Sequence, residues 1–401
     1  MGVFYTGDTQ KLEYLDLSDI PNIPANERGQ TPQGRAEMEN YFDICMNDAR
    51  KVMGDVSLLR RARFLTQHFS FVAAHAPMLA KLRFDLSKNP LADGSLLHDE
   101  MLSKLGVAVR FYGVPANKER DGVTAYIAPN HLGYFDGPMI GAAANAYMGG
   151  AQFILDHWGF GPIAKALGMV GIPRKSDIES GRTVIEGIAP KKQTDPVTGK
   201  TVYVWTPEEN ELLRESVANS IAAVLERANI VVFPEGRQGP GHDVGFFQPG
   251  SLRALFDAEG RAIAGRVIQP VVIDIEKVED EVIQPMYLGR GARGAFACYG
   301  WGGGYGDERH SHIYANVMPR RRDAQGNRVY IGVHFLKAID PRLCESGTRD
   351  ASAKTAANMV ARVVRFGLQN PPRANQAIPQ PLPFKTIDFS KQRFSGIKFP
   401  K

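Results

Sequence analysis

Cysteine is scarce in this chain, with three among 401 residues at positions 45, 298 and 344. So few and such widely spaced cysteines exclude a small secreted scaffold held by disulfides. They also lack the closely spaced pairs of a cysteine zinc site. We therefore expect free thiols in a reducing compartment and no metal ion.

Long hydrophobic runs are also missing. No stretch approaches the roughly 18 consecutive apolar residues of a transmembrane helix. The first residues lack the charged segment and apolar centre of a signal peptide. We therefore expect no membrane span and no leader. The expected location is cytoplasmic, and the alternative is a peripheral position at a membrane surface.

The charge is nearly balanced, since 48 basic residues face 43 acidic ones and leave a net charge of +5. This mild excess is not the strongly basic balance of a nucleic-acid-binding domain, and we expect no nucleic-acid partner. It suits a phosphate ester or an anionic membrane surface. The 43% apolar and 23% charged fractions are typical of a globular protein that buries a sizeable core.

The hydrophobic pattern divides the chain into four parts. Prolines without periodicity predict an extended arm over residues 1–32, and an approximate helical stripe predicts a helical subdomain over 33–106. An α/β domain over 107–345 follows, and residues 346–401 are read as a closing helix with a proline-rich tail. The basic helix predicted over 56–86 has two interpretations: a solvated edge, or a surface facing a membrane or an acyl carrier.

Short apolar runs alternate with helical segments in the α/β part. The strand candidates are 107–112, 123–128, 152–155, 170–172, 230–233, 267–273, 313–317 and 329–335. The helix candidates are 137–147, 161–167, 178–188, 207–228, 249–257 and 351–368. This alternation predicts a mixed, mostly parallel sheet flanked by helices. Residues 191–200 are predicted to form a turn-rich loop or hairpin, and residues 288–306 an irregular loop rich in glycine and aromatic residues.

A histidine and an aspartate stand five positions apart just after the apolar run 123–128. Pro129 and Asn130 break that strand, and a helix is predicted to begin at Asp136. His131 therefore lies at the mouth of a strand-to-helix turn. A nearby carboxylate can hydrogen-bond one ring nitrogen and leave the other as a base. The alternative is a surface histidine beside a helix-capping aspartate.

Three further blocks follow at the ends of apolar runs. They are Gly-Ile-Pro-Arg-Lys at 171–175, Phe-Pro-Glu-Gly-Arg at 233–237, and an apolar strand with an internal proline at 267–273. In this order and spacing, together with His-x4-Asp, the blocks resemble those of the glycerophospholipid O-acyltransferase family. That family includes the lysophosphatidate and glycerol-3-phosphate acyltransferases.

The resemblance implies a reaction and the groups that perform it. A fatty acyl group would pass directly from acyl-CoA or acyl carrier protein to the hydroxyl of glycerol-3-phosphate or a lysophospholipid such as lysophosphatidate. His131 would be the general base and Asp136 would fix its tautomer. No cofactor is needed beyond the thioester co-substrate.

The resemblance also implies the residues that bind the acceptor. Arg174 ends the second block beside Lys175, while Glu235, Gly236 and Arg237 end the third. Arginine binds phosphate bidentately, which suits a phosphorylated acceptor. The common family form has a threonine between the glycine and the arginine of the third block, so Arg237 here is one place early. Downstream, glutamine at position 248 replaces the family's lysine.

Two other classes of protein remain open from the residues alone. A serine or thiol hydrolase could use the same histidine and aspartate, but the chain has no Gly-x-Ser-x-Gly elbow. A non-catalytic lipid-binding protein could use the basic helix and the aromatic segment.

Overall fold

The structure is a computed structural model, and it describes part of the chain. The described residues are 11–16, 108–131, 136–156, 164–165, 168–196, 199, 201–236, 244–276, 301–304, 311–315, 330–369 and 387–388. The predicted helical subdomain 33–106 lies outside these residues. Most of the arm and of the proline-rich tail also lie outside them, so the predicted domain boundaries stay predictions.

The described strands form one large sheet and two hairpins. In chain order the strands are β1 (Ala108–Tyr112), β2 (Thr124–Pro129), β3 (Ala146–Ala151), β4 (Met169–Ile172), β5 (Lys191–Thr194), β6 (Thr201–Val204), β7 (Asn229–Val231), β8 (Arg266–Glu276), β9 (Trp301–Gly304), β10 (Ser311–Ala315), β11 (Tyr330–Phe335) and β12 (Ile387–Asp388). The large sheet has the order β12-β1-β11-β8-β2-β7-β3-β4, while β5 pairs with β6 and β9 with β10.

The large sheet is mixed and mostly parallel. Strand β11 runs antiparallel to β8, and β12 runs antiparallel to β1. The other five pairings are parallel: β1 with β11, β8 with β2, β2 with β7, β7 with β3, and β3 with β4. This confirms the fold class predicted for the α/β part.

Helices cover both faces of the sheet. In chain order the described helices are α1 (Lys118–Asp121), α2 (Asp136–Ala144), α3 (Gln152–Asp156), α4 (Lys175–Glu179), α5 (Pro207–Leu225) and α6 (Arg349–Gln369), with 3-10 turns at Pro249–Leu255 and Pro341–Cys344. Helix α5 begins as the sequence predicts, because Thr206 caps it and Glu209 closes a capping box.

Side-chain alternation along β2 divides the core into two layers. Ala125 and Ile127 pack with Met139 and Ile140 of α2 on one face. Tyr126 and Ala128 pack in the layer that contains α5 and α6 on the other face. All six residues of β2 are buried, so this strand lies in the middle of the molecule.

The register aligns the carboxyl ends of four neighbouring strands. Ile127 of β2 pairs with Val231 of β7, Val231 pairs with Met148 of β3, and Met148 pairs with Met169 of β4. Because all four strands are parallel, the residues that follow them emerge at one edge of the sheet. Ligands of open α/β sheets bind at this edge.

The prediction of a strand at 152–155 was wrong, because this segment is helix α3 and the strand is β3 just before it. Two glycines in β3 weaken its strand signal in the sequence. The sheet nevertheless needs them: a Cβ on Gly149 would lie 2.5 Å from Cδ1 of Ile172 in β4. Close strand packing therefore overrides the local propensity.

The helix predicted over 178–188 was also wrong. Helix α4 ends at Glu179, and Gly181 follows with φ of +70°. The backbone N–H groups of Arg182 and Thr183 both donate to the carbonyl of Asp177. A tight turn thus replaces the predicted helix, because glycine adopts the left-handed conformation at little cost.

Other outcomes concern shorter segments. The hairpin reading of 191–200 is confirmed by β5 and β6, whereas the helix predicted at 249–257 is a 3-10 turn. Part of the predicted arm is extended, and Leu15 donates its N–H to the carbonyl of Ala338 at 2.7 Å. No helix in the described part of the chain has the length and apolarity to cross a bilayer.

A buried histidine of β11 makes stability depend on pH. His334 is fully buried and stacks on Tyr112 at 4.4 Å, and burial lowers its pKa from 6.5 to about 3. Below about pH 6.5 the unfolded chain takes up a proton that the folded chain excludes. Stability should therefore fall by about 1.4 kcal/mol per pH unit from pH 6.5 towards 3.

The matched variant is His334→Phe, which keeps a stacked ring and cannot titrate. Urea unfolding of both proteins at pH 7, 6 and 5 measures the difference. The wild-type protein should lose more stability than the variant across this range. Parallel curves for the two proteins would contradict the assignment.

Candidate active site

The turn after β2 is anchored by a buried asparagine. Asn130 donates its Nδ2–H to the carbonyl of Ile273 at 3.0 Å and accepts the N–H of the same residue at 2.7 Å. Its side chain thereby continues the pairing of β2 with β8 by one residue and holds the backbone that leads to His131. Sequence reasoning treated Asn130 only as a strand breaker. Its position after a proline at the end of a buried strand was the available signal.

His131 and Asp136 are in direct contact. Nδ1 of His131 lies 2.9 Å from Oδ2 of Asp136. The carboxylate is fully buried, whereas the histidine side chain is 20% exposed. Asp136 is also the first residue of α2, where the helix dipole favours a negative charge. An ionised carboxylate only accepts hydrogen bonds, so this contact favours the tautomer with its proton on Nδ1, in which Nε2 is an acceptor.

The ring of His131 rests on an aromatic side chain. Its centroid lies 4.1 Å from that of Phe233, and the two rings are 25° apart. Phe233 follows β7 and begins the Phe-Pro-Glu-Gly block. Stacking on one face and the carboxylate at one edge together fix the orientation of the imidazole. The sequence analysis quoted this phenylalanine within the block but assigned it no role.

Glu235 links the turn after β2 to the turn after β7. One carboxylate oxygen accepts the N–H of His131 at 3.2 Å, and the other accepts the N–H of Gly245 at 2.9 Å. The residue is 6% exposed. Glu235 therefore fixes backbone next to the histidine, and its predicted contact with substrate stays a prediction.

Gly236 has a backbone conformation that favours glycine, with φ of +67°. Its N–H donates to the carbonyl of Phe233 at 3.0 Å and closes a turn. This N–H is therefore already hydrogen-bonded within the protein. Arg237 lies outside the described residues.

The cations of the second block lie after β4. Arg174 donates Nε–H to Oδ2 of Asp177 at 2.8 Å and Nη2–H to Oδ1 at 3.3 Å. The ammonium of Lys175 lies 4.9 Å from the ring centroid of Trp205, and Trp205 donates its indole N–H to Glu179 at 2.8 Å. Asp177 was not singled out in the sequence.

The predicted site residues thus fall into two groups along one edge of the sheet. His131, Asp136 and Glu235 are joined directly by hydrogen bonds. Arg174 and Lys175 follow β4, which is three strand spacings, or about 14 Å, from β2. A long arginine side chain and an extended acceptor can together cover this separation.

Comparison with known proteins identifies one matching family. Residues 114–274 match the family model described as Acyltransferase. One similar solved structure is that of the 1-acyl-sn-glycerophosphate (LPA) acyltransferase PlsC from Thermotoga maritima. It is 15% identical with a TM-score of 0.41, over 77% of this chain and 95% of that one. No curated protein matches the sequence. A likeness at this identity and TM-score says nothing about activity, whereas the family match spans both groups of site residues that the structure describes.

The two hydrogen bonds that Glu235 accepts from the N–H groups of His131 and Gly245 can be tested directly. In Glu235→Gln the amide group must face one of the two backbone N–H groups, so a buried hydrogen bond is lost. We expect a loss of about 1–3 kcal/mol in the free energy of unfolding, measured with urea.

The matched control is Glu345→Gln. Glu345 also accepts a backbone N–H, from Ala262 at 2.9 Å, but at an exposed position. Its loss should stay within about 0.5 kcal/mol. Equal losses in the two variants would mean that Glu235 is not a buried brace.

Proposed function

The chain carries an acyltransferase domain over residues 114–274, and from this premise we propose a substrate pair and a catalytic residue. The reaction moves a fatty acyl group from a thioester donor, acyl-CoA or acyl carrier protein, to a hydroxyl. The acceptor is glycerol-3-phosphate or a lysophospholipid such as lysophosphatidate. The observation that carries the proposal is the His131–Asp136 hydrogen bond at the carboxyl edge of the sheet.

The proposed general base is Nε2 of His131. It takes the proton of the acceptor hydroxyl as the hydroxyl oxygen forms a bond to the thioester carbonyl carbon. Asp136 stabilises the imidazolium that results. When the tetrahedral intermediate collapses, the carbon–sulfur bond breaks and the imidazolium returns the proton to the sulfur. The products are an ester and a free thiol.

We assign the acceptor phosphate to Arg174 and Lys175, which follow β4. The side chain of Arg174 is 40% exposed while Asp177 binds its guanidinium. A fork of N–H donors suits a phosphate better than the single ammonium of a lysine. Lys175 adds positive charge beside it. Arg237 stays a proposed acceptor ligand on the basis of the sequence alone, together with Glu235 and Gly236.

The contacts of His131 favour transfer over a hydrolase mechanism. In the described part of the chain no serine, threonine or cysteine hydrogen-bonds its ring, and Phe233 covers one ring face. Cys344 is the buried last residue of the 3-10 turn that follows β11, and burial raises its thiol pKa to about 12. Such a thiol stays protonated at neutral pH and is a poor nucleophile. A direct attack by the acceptor needs no enzyme nucleophile.

The donor and the membrane contact remain part of the proposal. Acyl-CoA and acyl carrier protein both present the thioester that the reaction needs, and no further cofactor enters it. An acceptor panel with each donor, with products identified by mass spectrometry, separates the two donors and the candidate acceptors. The basic helix 56–86 and most of the aromatic segment 288–306, which were the predicted lipid-facing surfaces, lie outside the described residues.

The catalytic pair is tested with two variants. His131→Ala should lower kcat by about 10²- to 10⁴-fold, because the general base is lost. Asp136→Asn should also lower kcat, because an amide can offer an N–H to Nδ1 and favour the wrong tautomer. The measurement is thiol release from palmitoyl-CoA that depends on added glycerol-3-phosphate or lysophosphatidate.

The matched control is Asp257→Asn. Asp257 pairs with Arg261 at 2.8 Å. Both residues precede the amino end of β8 in the chain, and that end lies at the edge of the sheet opposite to His131. This variant should keep wild-type turnover. Acceptor-dependent turnover that survives in both His131→Ala and Asp136→Asn would refute the pair. Thioester hydrolysis that ignores the acceptor would support the hydrolase alternative instead.

A further inference from the structure

We propose that Arg182 is a second arginine for the acceptor phosphate, and that Asp177 is the positioning residue that holds Arg174 and Arg182 side by side. This inference rests on the proposed function and adds two residues to the same site. The predicted site contained Arg174 and Lys175 but neither Arg182 nor Asp177.

One buried carboxylate binds both guanidinium groups. Asp177 has a fully buried side chain, and its Oδ2 accepts Nε–H of Arg174 at 2.8 Å. Its Oδ1 lies 2.7 Å from Nη2 of Arg182 and 3.3 Å from Nη2 of Arg174. Because both Nη2 atoms contact the same oxygen, the two guanidiniums are neighbours. Two cations on one anion leave a net charge of +1.

The guanidinium groups of Arg174 and Arg182 also share a contact with one aromatic ring. Phe153 of α3 has the guanidinium of Arg182 at 4.6 Å from its ring centroid and that of Arg174 at 5.6 Å. Phe153 follows β3, whose carboxyl end is aligned with that of β4. The ring and the carboxylate therefore hold both arginines at the carboxyl edge, where the proposed acceptor lies. Cation–π contacts of this kind favour arginine over lysine.

Both arginines keep donors for a ligand. A guanidinium has five N–H groups. Among the described residues, Arg174 uses Nε and one Nη2 donor on Asp177. Arg182 donates its Nε–H to Ser180, and its Nη2 forms an ion pair with Asp177. The side chains of Arg174 and Arg182 are 40% and 48% exposed. A phosphate can therefore accept hydrogen bonds from both at once, as charge-assisted pairs do.

The turn itself does not need the guanidinium of Arg182. The carbonyl of Asp177 already accepts the backbone N–H groups of Arg182 and Thr183, at 2.8 and 3.1 Å. Arg174 already donates hydrogen bonds to both oxygens of the buried Asp177 carboxylate, so a second cation is not required to pair it. Holding two like charges together at a ligand-binding edge is thus better explained by anion binding than by stability.

The test is Arg182→Gln, assayed for KM with each substrate. KM for glycerol-3-phosphate or lysophosphatidate should rise roughly tenfold to a hundredfold, as expected for one lost charged hydrogen-bond partner. The KM for palmitoyl-CoA and the turnover of an uncharged monoacylglycerol acceptor should stay within about twofold. Arg182→Lys should recover part of the loss, because it restores the charge without the fork.

Asp177→Asn tests the positioning role. It should raise the KM of the phosphorylated acceptor more than Arg182→Gln does, because both guanidiniums lose their anchor, with little change in the KM of the donor. If Asp177→Asn does not fold, the two Arg182 variants decide. The matched control is Arg261→Gln, which removes an arginine that pairs with Asp257 in the segment before β8. This variant should leave the KM of the acceptor and the KM of the donor unchanged.

A binding measurement separates this inference from the proposed function. Calorimetry with glycerol-3-phosphate requires no turnover. If the wild-type protein binds it without transferring acyl groups and Arg182→Gln does not bind, the arginine pair stands and the proposed reaction fails. If the wild-type protein transfers acyl groups and Arg182→Gln keeps its KM for the phosphorylated acceptor, the arginine pair is refuted. Wild-type protein that neither binds nor transfers refutes both.

Discussion

The parallel pairing of β2, β7, β3 and β4 is the constraint on which the proposed site depends. Each of these strands is followed by a polar or aromatic residue that the site uses: His131, Glu235, Phe153 and Arg174. Parallel register brings these residues to one edge although up to 104 positions separate a contacting pair. An antiparallel neighbour would have sent its following residues to the opposite edge. The proximity of the proposed site residues is thus a consequence of strand direction.

Buried polar side chains then convert this rough alignment into fixed positions. Asn130 and Glu235 both bond to backbone N–H groups, and both sit beside His131 in the chain or in space. Asp136 and Asp177 instead hold cationic or imidazole groups, and both are fully buried. Burial strengthens these interactions and makes their loss costly. The side chains of His131, Arg174 and Arg182 are partly exposed, whereas the carboxylates of Asp136 and Asp177 that orient them are fully buried.

The sequence predicted the α/β class and both long helices α5 and α6, because these depend on strong local signals. Apolar runs end in proline, asparagine or glycine, and Thr206 with Glu209 forms a legible capping box. It failed at β3, whose two glycines are required by neighbouring side chains in space. It also failed at Gly181, where a local turn that glycine permits ends the helix that was predicted to continue.

Sequence by itself determined which chemistry was available: a histidine with an acid five places on, and arginines and a glutamate at the ends of apolar runs. Residue types and short spacings are enough for that, because only a short segment of chain joins the histidine to the acid. Only the tertiary structure decided that Glu235 bonds to backbone, that Phe233 supports the imidazole, and that Arg182 shares Asp177 with Arg174. These contacts join separate elements, and their geometry exists only once the strands are paired and the side chains are packed.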